Sequence, residues 1–166
     1  MLKVIGIDPG LAATGVGVVT GKGLKINGYS YGTIRTSTNT SLPGRLDLIY
    51  SKLFEILEAE NPALMVVEDI FSVDKFPHSG ITLGKVSGAV MIAGFRLQIP
   101  VIEIPVREAK QVLTGNGNAS KEQLEKAVRH TLGAKKQIRP FHASDAIGLA
   151  LIGLYRYHDK HLRRGK

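Results

Sequence analysis

Leu2-Lys3-Val4-Ile5-Gly6-Ile7-Asp8-Pro9-Gly10 is a short apolar run closed by a carboxylate and then by turn chemistry. The run reads as a strand, and Pro9-Gly10 stops it. A carboxylate in that place is held at the edge of a core rather than lost inside it. A second run, Leu64-Met65-Val66-Val67, ends the same way on Glu68. It is almost purely apolar, as a strand covered on both faces should be.

Working outward from these two runs gives the element order. Residues 15–19 read as a strand, and Gly21-Lys22-Gly23 as a turn. Lys25 to Arg35 reads as a third strand, so an antiparallel meander opens the chain. Leu42, Leu46, Ile49, Leu53, Ile56 and Leu57 recur at helical spacing. That helix should stop before Asn61-Pro62, because the residue preceding proline resists the α region. Phe71 to Ser79 reads as a polar loop, Gly80 to Leu97 as a helix, and Val101 to Ile104 as a strand. A short helix over Glu108–Leu113 comes next. Ser120 with Gln123 is a capping box that opens a helix to about Leu132, with Gly133 as its C-cap. Ala143 to Tyr157 is a strongly apolar last helix, and the basic tail from His158 should fray. Later strands alternate with helices, so the expected fold is α/β, with parallel strands added to the meander. The expected organisation is a single domain over 1–158, followed by a basic tail over 159–166.

The 166 residues are enough chain to bury a proper core. The net charge of +8 favours a polyanionic partner, either nucleic acid or an anionic membrane surface. The absence of cysteine excludes disulfides and zinc-thiolate sites. Asp8 interrupts the first apolar stretch too early for a signal peptide. Lys85, Arg96, Gln98, Pro100 and Glu103 break the most apolar region, so a cytosolic protein without a membrane span is expected.

Sites in open α/β sheets form beyond the C-terminal ends of strands. Asp8 and Glu68 lie at two such ends, and parallel neighbours would bring them within reach of one metal. His142 and Asp145, spaced i, i+3, share a face at the start of the last helix. Three carboxylates and an imidazole suit Mg²⁺ or Mn²⁺. Two such ions ~3.5–4 Å apart hold the attacking and leaving oxygens of a phosphodiester in line. Each residue also has a plainer reading. Asp8 can initiate a turn, Glu68 can be a solvated strand end, Asp145 can be a first-turn helix acid, and His142 can be a surface histidine. It is their joint placement that favours a metal-dependent nuclease.

Gly6-Ile7-Asp8-Pro9-Gly10, Thr14-Gly15-Val16-Gly17, Glu68 with Phe71, Arg107-Glu108-Ala109-Lys110-Gln111, the Gly117 to Lys121 segment and Ala143-Ser144-Asp145-Ala146 together resemble the RuvC family. These are bacterial Holliday-junction resolvases, and the likeness runs in order along essentially the whole chain. It implies an RNase H-like fold with a mixed five-stranded sheet. It implies a structure-specific endonuclease that makes paired symmetric nicks in recombination and DNA repair, with two Mg²⁺ or Mn²⁺ ions per active site. Asp8, Glu68 and Asp145 match the family's metal-binding acids. His142 matches the fourth catalytic position, where many members carry Asp. Imidazole is a weaker ligand for Mg²⁺ than carboxylate, so a preference for Mn²⁺ and a loss of activity below about pH 6.5 are expected.

Phe71 matches an aromatic that contacts bases near the crossover, where stacking contributes ~1–3 kcal/mol per base. By its residue type alone Phe71 reads as core. Lys75 and Phe76 share its loop as further contacts. Lys110 and Lys121 match lysines near the scissile phosphate, although either taken alone is an ordinary surface charge. The implied partners are a four-way DNA junction, a second copy of the chain, and the RuvA–RuvB branch-migration complex. Gly80, Gly84, Gly88, Ala89 and Ala93 form a small-residue stripe that fits either a homodimer contact or packing on the chain's own sheet. Three rival readings remain: an actin-like ATPase lobe, an RNase H-like RNA-processing nuclease, and a catalytically weak junction-binding protein.

Overall fold

The computed structural model describes residues 1–69 and 77–163. Its five strands are β1 (Leu2–Asp8), β2 (Ala13–Lys22), β3 (Lys25–Arg35), β4 (Leu64–Glu68) and β5 (Val101–Ile104). They form one mixed sheet in the order β3-β2-β1-β4-β5. β1 pairs antiparallel with β2 and parallel with β4, and β5 extends the parallel side. The helices are α1 (Leu42–Glu60), α2 (Pro77–Arg96), α3 (Val106–Thr114), α4 (Lys121–Leu132) and α5 (Phe141–Arg163).

Alternation along the strands splits the core in two. Ile5, Ile7, Met65 and Val67 point to one face and pack with Ile49, Leu53, Val86 and Val90 of α1 and α2. Val4, Leu64 and Val66 point to the other face and pack with α5 and, behind it, α3 and α4. Asp8 and Glu68 follow the parity of this second set. The register Ile7↔Val67 then puts the two carboxylates side by side at the C-terminal ends of β1 and β4.

α5 lies unusually close to the sheet. A Cβ on Gly6 would stand 1.9 Å from the Ala146 carbonyl oxygen, and one on Gly15 would stand 2.0 Å from that of His142. Both positions are strand glycines, which weaken a strand and mark close backbone approach. Here the approach is that of the helix carrying His142 and Asp145.

Local signals account for most boundaries. α1 ends with Asn61 in the left-handed region, its N–H bonded to the Leu57 carbonyl. The Ser120–Gln123 capping box is present, and Gly133 closes α4 at φ 64°. Several boundaries differ from expectation, among them α3, which runs from Val106 to Thr114, and α5, which starts at Phe141. β2 runs from Ala13 to Lys22 rather than 15–19, because its ladder with β3 continues to the Lys22–Lys25 pair. α2 begins at Pro77 rather than Gly80, since proline is at home in a first helical turn. The frayed tail expected from His158 is corrected, because α5 continues to Arg163. From His158 to Arg163 the sequence holds no glycine or proline to stop the helix.

The small-residue stripe of α2 divides. Ala93 is fully buried in the chain's own core, whereas a Cβ on Gly84 or Gly88 would meet nothing within 4 Å. Ile81, Ile92 and Phe95 on the same helix are 59%, 53% and 80% exposed.

Candidate active site

Asp8, Glu68, His142 and Asp145 line a single cleft of about 350 Å³, together with Pro9, Gly10, Leu83, Val106, Lys110 and Lys121. Three larger hollows, of about 800, 770 and 410 Å³, lie between α3 and α4, between α2 and β5, and between Leu11 and α2. None gathers acids, so chemistry rather than size singles out the smaller cleft. Phe71, Lys75 and Phe76 lie outside the described residues.

The backbone fixes each acid. The turn after Asp8 is tied down by Thr14, whose hydroxyl donates to the Gly10 carbonyl at 2.8 Å. Thr36 donates to the Leu11 carbonyl at 2.5 Å and accepts from Arg45 Nε at 2.7 Å, anchoring the same turn to α1. Asp145 rides the buried face of α5, between Ser144 and Ala146, which are both fully buried. Sequence reasoning passed over this support. Thr14 and Thr36 look like ordinary polar residues in or beside a strand until the turn is folded against them.

The carboxyls crowd one another. Burial pushes the Glu68 carboxyl up to about 9, helped by a hydrogen bond with Asp8 and by the charges of Asp8 and Asp145. Burial and the Asp8 charge raise Asp145 to about 6. Lys121 opposes both shifts, and Lys110 opposes that of Asp145, so the two lysines are felt inside the cleft. His142 Nδ1 meets Asp8 Oδ2 at 2.6 Å, and this bond raises the imidazole above its ordinary value despite partial burial.

These groups fit a hard divalent cation. Asp145 Oδ1 is buried and, among the described residues, has no hydrogen-bond partner. Buried oxygens in that condition are costly, and a cation would satisfy them. Among the described residues no three His, Asp or Glu side chains already stand in coordinating geometry. His142 is turned onto Asp8, and Glu68 is drawn into a hydrogen bond with the same acid. Repulsion between the carboxyls raises Glu68 and Asp145, and a divalent ion would relieve it.

The sequence model of the family described as Crossover junction endodeoxyribonuclease RuvC matches residues 4–153. The chain belongs to the RuvC family. A RuvC relative from Prosthecochloris aestuarii is 38% identical over 151 residues, covering 91% of this chain and 80% of its own. One from Carboxydothermus hydrogenoformans is 37% identical over 155 residues, covering 93% and 97%. A solved structure, "T. thermophilus RuvC in complex with Holliday junction substrate", superposes with a TM-score of 0.89 at 32% identity, covering 96% of this chain and 97% of that one. The expected RNase H-like resolvase fold, with its mixed five-stranded sheet, is therefore the fold of this protein. It is a nuclease of the crossover-junction class. No helix among the described residues is long and apolar enough to cross a membrane.

Proposed function

We propose that this RuvC-family nuclease resolves Holliday junctions by symmetric nicking, with Asp8, Glu68, Asp145 and His142 as its cation-binding catalytic set. The observation that carries the reading is the meeting of those four side chains in one cleft between two lysines. Asp8, Glu68 and Asp145 would hold two Mg²⁺ or Mn²⁺ ions, with His142 as the nitrogen ligand. Bound divalent ions supply Lewis-acid charge to a phosphodiester and make hydroxide available near neutral pH. The rest is the work of the chain. Lys110 and Lys121 draw the phosphate in, and Leu83 and Val106 narrow the space open to water. The Asp8 carboxylate orients the His142 ring through Nδ1. The domain that does this is residues 1–158, in a cytoplasmic setting.

The deciding experiment is a nicking assay on a synthetic mobile four-way junction with Mg²⁺ or Mn²⁺, beside a structured RNA. Paired nicks in the DNA junction support the proposal. Preferential RNA cleavage would replace it with an RNA-processing nuclease, and tight binding without nicking in either metal with a binding module.

His142 gives the site a pH signature. As pH falls the imidazole protonates and ceases to be a ligand. In the metal-free cleft its bond to Asp8 raises that protonation above the ordinary histidine value, so protons compete with the cation for His142 on the acid side. His142→Asp is expected to move the acid limb of the nicking rate by about one pH unit or more toward acid. It should also narrow the advantage of Mn²⁺ over Mg²⁺. A rate profile that overlays wild type in both metals would show that His142 takes no part.

Two symmetric nicks call for two sites related by a two-fold axis. The proposed partners are the four-way junction, a second copy of the chain and, from the family likeness, the RuvA–RuvB complex. The exposed α2 stripe of Ile81, Gly84, Gly88, Ile92 and Phe95 is the proposed contact between copies. Because Phe95 is so exposed, Phe95→Glu should leave melting within about 0.5 kcal/mol of wild type in the isolated chain. It is expected to shift light scattering from dimer to monomer. A Phe95→Glu protein that stays dimeric at low micromolar concentration removes α2 from the interface.

A further inference from the structure

The segment leading into α5 carries a feature that the catalytic set does not use. Ile138 is fully buried, and its N–H donates to Glu125 Oε1 at 2.9 Å. Glu125 is itself only 3% exposed, an acid drawn into the core to hold this backbone, with Arg129 Nε 3.1 Å from the same oxygen. Two residues beyond Ile138, the Pro140 carbonyl accepts from the Ala143 N–H at 3.0 Å. Arg139 is therefore presented from a backbone pinned on both sides. Its side chain is exposed, with the guanidinium carbon 3.9 Å from the centre of the Phe141 ring.

This arginine forms no ion pair with the described residues. Among the described residues no carboxylate stands at ion-pair distance, and its one polar contact is a long 3.4 Å bond to Gln137. The Phe141 ring holds the guanidinium over its face and leaves N–H groups without a partner among the described residues. That is the geometry with which arginine takes phosphate oxygens two at a time, and lysine cannot reproduce it. Its location is specific. Phe141 is followed directly by His142, which faces Asp8 in the cleft. On the other side lies Glu122, whose carboxyl is lowered by its own backbone and by Ser120, and also by the charges of Arg139 and Lys121. Arg139 thus stands three residues before His142, which lines the cleft together with Lys121.

We propose that the Arg139 guanidinium, stacked on Phe141 at the rim of the acidic cleft, is a preformed clamp for a DNA phosphate neighbouring the one that is cut. The inference rests on the junction-nuclease reading and adds a residue to it. The clamp sets where the strand lies, leaving the chemistry to the residues inside the cleft.

The test is junction binding by the full chain in chelator, followed by fluorescence anisotropy from 50 to 200 mM salt. Arg139→Gln should weaken binding about tenfold at low salt. It should also flatten the plot of log affinity against log salt by about 0.9 for each arginine engaged. Arg139→Lys should restore the slope but not the affinity. Phe141→Leu, which keeps the charge but removes the stacking surface, should weaken binding at an unchanged slope. Lys25→Gln controls for net charge, because Lys25 lies at the opposite end of the sheet from Asp8 and should change neither quantity. A wild-type slope in Arg139→Gln overturns the clamp, and so does an equal flattening in Lys25→Gln. Should wild type itself fail to bind the junction, the nuclease reading falls and the clamp with it. If wild type binds and Arg139→Gln is indistinguishable from it, only the clamp is lost.

Discussion

Asp8→Asn is expected to lower junction nicking by about 10³-fold or more while binding the junction as well as wild type or slightly better. Asparagine keeps the size of the side chain and removes one negative charge from the cleft proposed to receive a phosphate. A second consequence follows from the crowding of the carboxyls. Glu68 and Asp145 are both raised above their ordinary values, with Asp8 among the causes in each case. The folded protein therefore holds protons that the unfolded chain releases. Stability from these groups is complete below the ordinary carboxylate range. It is lost as pH rises through about 6 for Asp145 and on toward about 9 for Glu68. Removing the Asp8 charge relieves part of that loss. In chelator, Asp8→Asn should melt above wild type at pH 8, by about 1 kcal/mol or more, with a smaller gap at pH 5.

Cation binding should separate the two proteins further. A divalent ion at a hundred times its dissociation constant stabilises the folded state by about 2.7 kcal/mol. Wild type should show such a rise in Mn²⁺, and Asp8→Asn should show little of it. Nicking by Asp8→Asn at a wild-type rate would remove Asp8 from the catalytic set. An unchanged response of melting to Mn²⁺ would remove it from the cation site.

What was legible in the sequence depended on whether a residue's meaning is local. The capping box at Ser120 and the stop at Asn61 are contained within a few residues, and both could be read directly. Asp8 and Glu68 could be placed because each closes an apolar run, and two parallel strands leave few ways to arrange their ends. His142 and Asp145 could be paired because i, i+3 is a fixed geometry on a helix. That they enter the same cleft as Asp8 depends on where α5 lies. Phe71 sits in the one internal stretch outside the described residues, so its proposed role stands on family likeness. Glu125 was not legible at all. It reads as one more acid on a charged helix, and its burial is decided by Ile138, thirteen residues away. The stripe on α2 was legible as a pattern but not as a role. Spacing alone cannot tell Ala93, which faces the core, from Gly84 and Gly88, which face open space. The end of α5 was misread because basic composition was taken for fraying, when nothing in those residues breaks a helix.

The strand glycines are the sharpest case of meaning that exists only in three dimensions, and they carry the second large expectation. Gly6→Ala places a methyl 1.9 Å from the Ala146 carbonyl oxygen and 2.7 Å from the Ala150 nitrogen. Both are helix backbone atoms and cannot swing aside as a side chain would. α5 must lift from the sheet, and its buried run from Ala143 to Leu154 loses contact with Val4 and Val66. The expected cost is about 3 kcal/mol or more, toward the upper end for an overpacked core. For a chain of this size that is about 6–12 °C in melting temperature. Gly15→Ala acts at the catalytic end of the same helix, where the methyl would meet the His142 carbonyl at 2.0 Å. Displacing His142 from Asp8 by about 1 Å should cost about 10²-fold in nicking, with a smaller loss of stability than Gly6→Ala. Gly32→Ala is the control. It lies on the neighbouring strand, its Cβ would meet nothing within 4 Å, and it should melt at or slightly above wild type. If all three variants melt alike, the close seating of α5 on β1 and β2 is not what brings His142 and Asp145 to Asp8. If only Gly6→Ala and Gly15→Ala suffer, the two glycines belong to the proposed site with the acids, because a side chain at either would hold α5 away from Asp8.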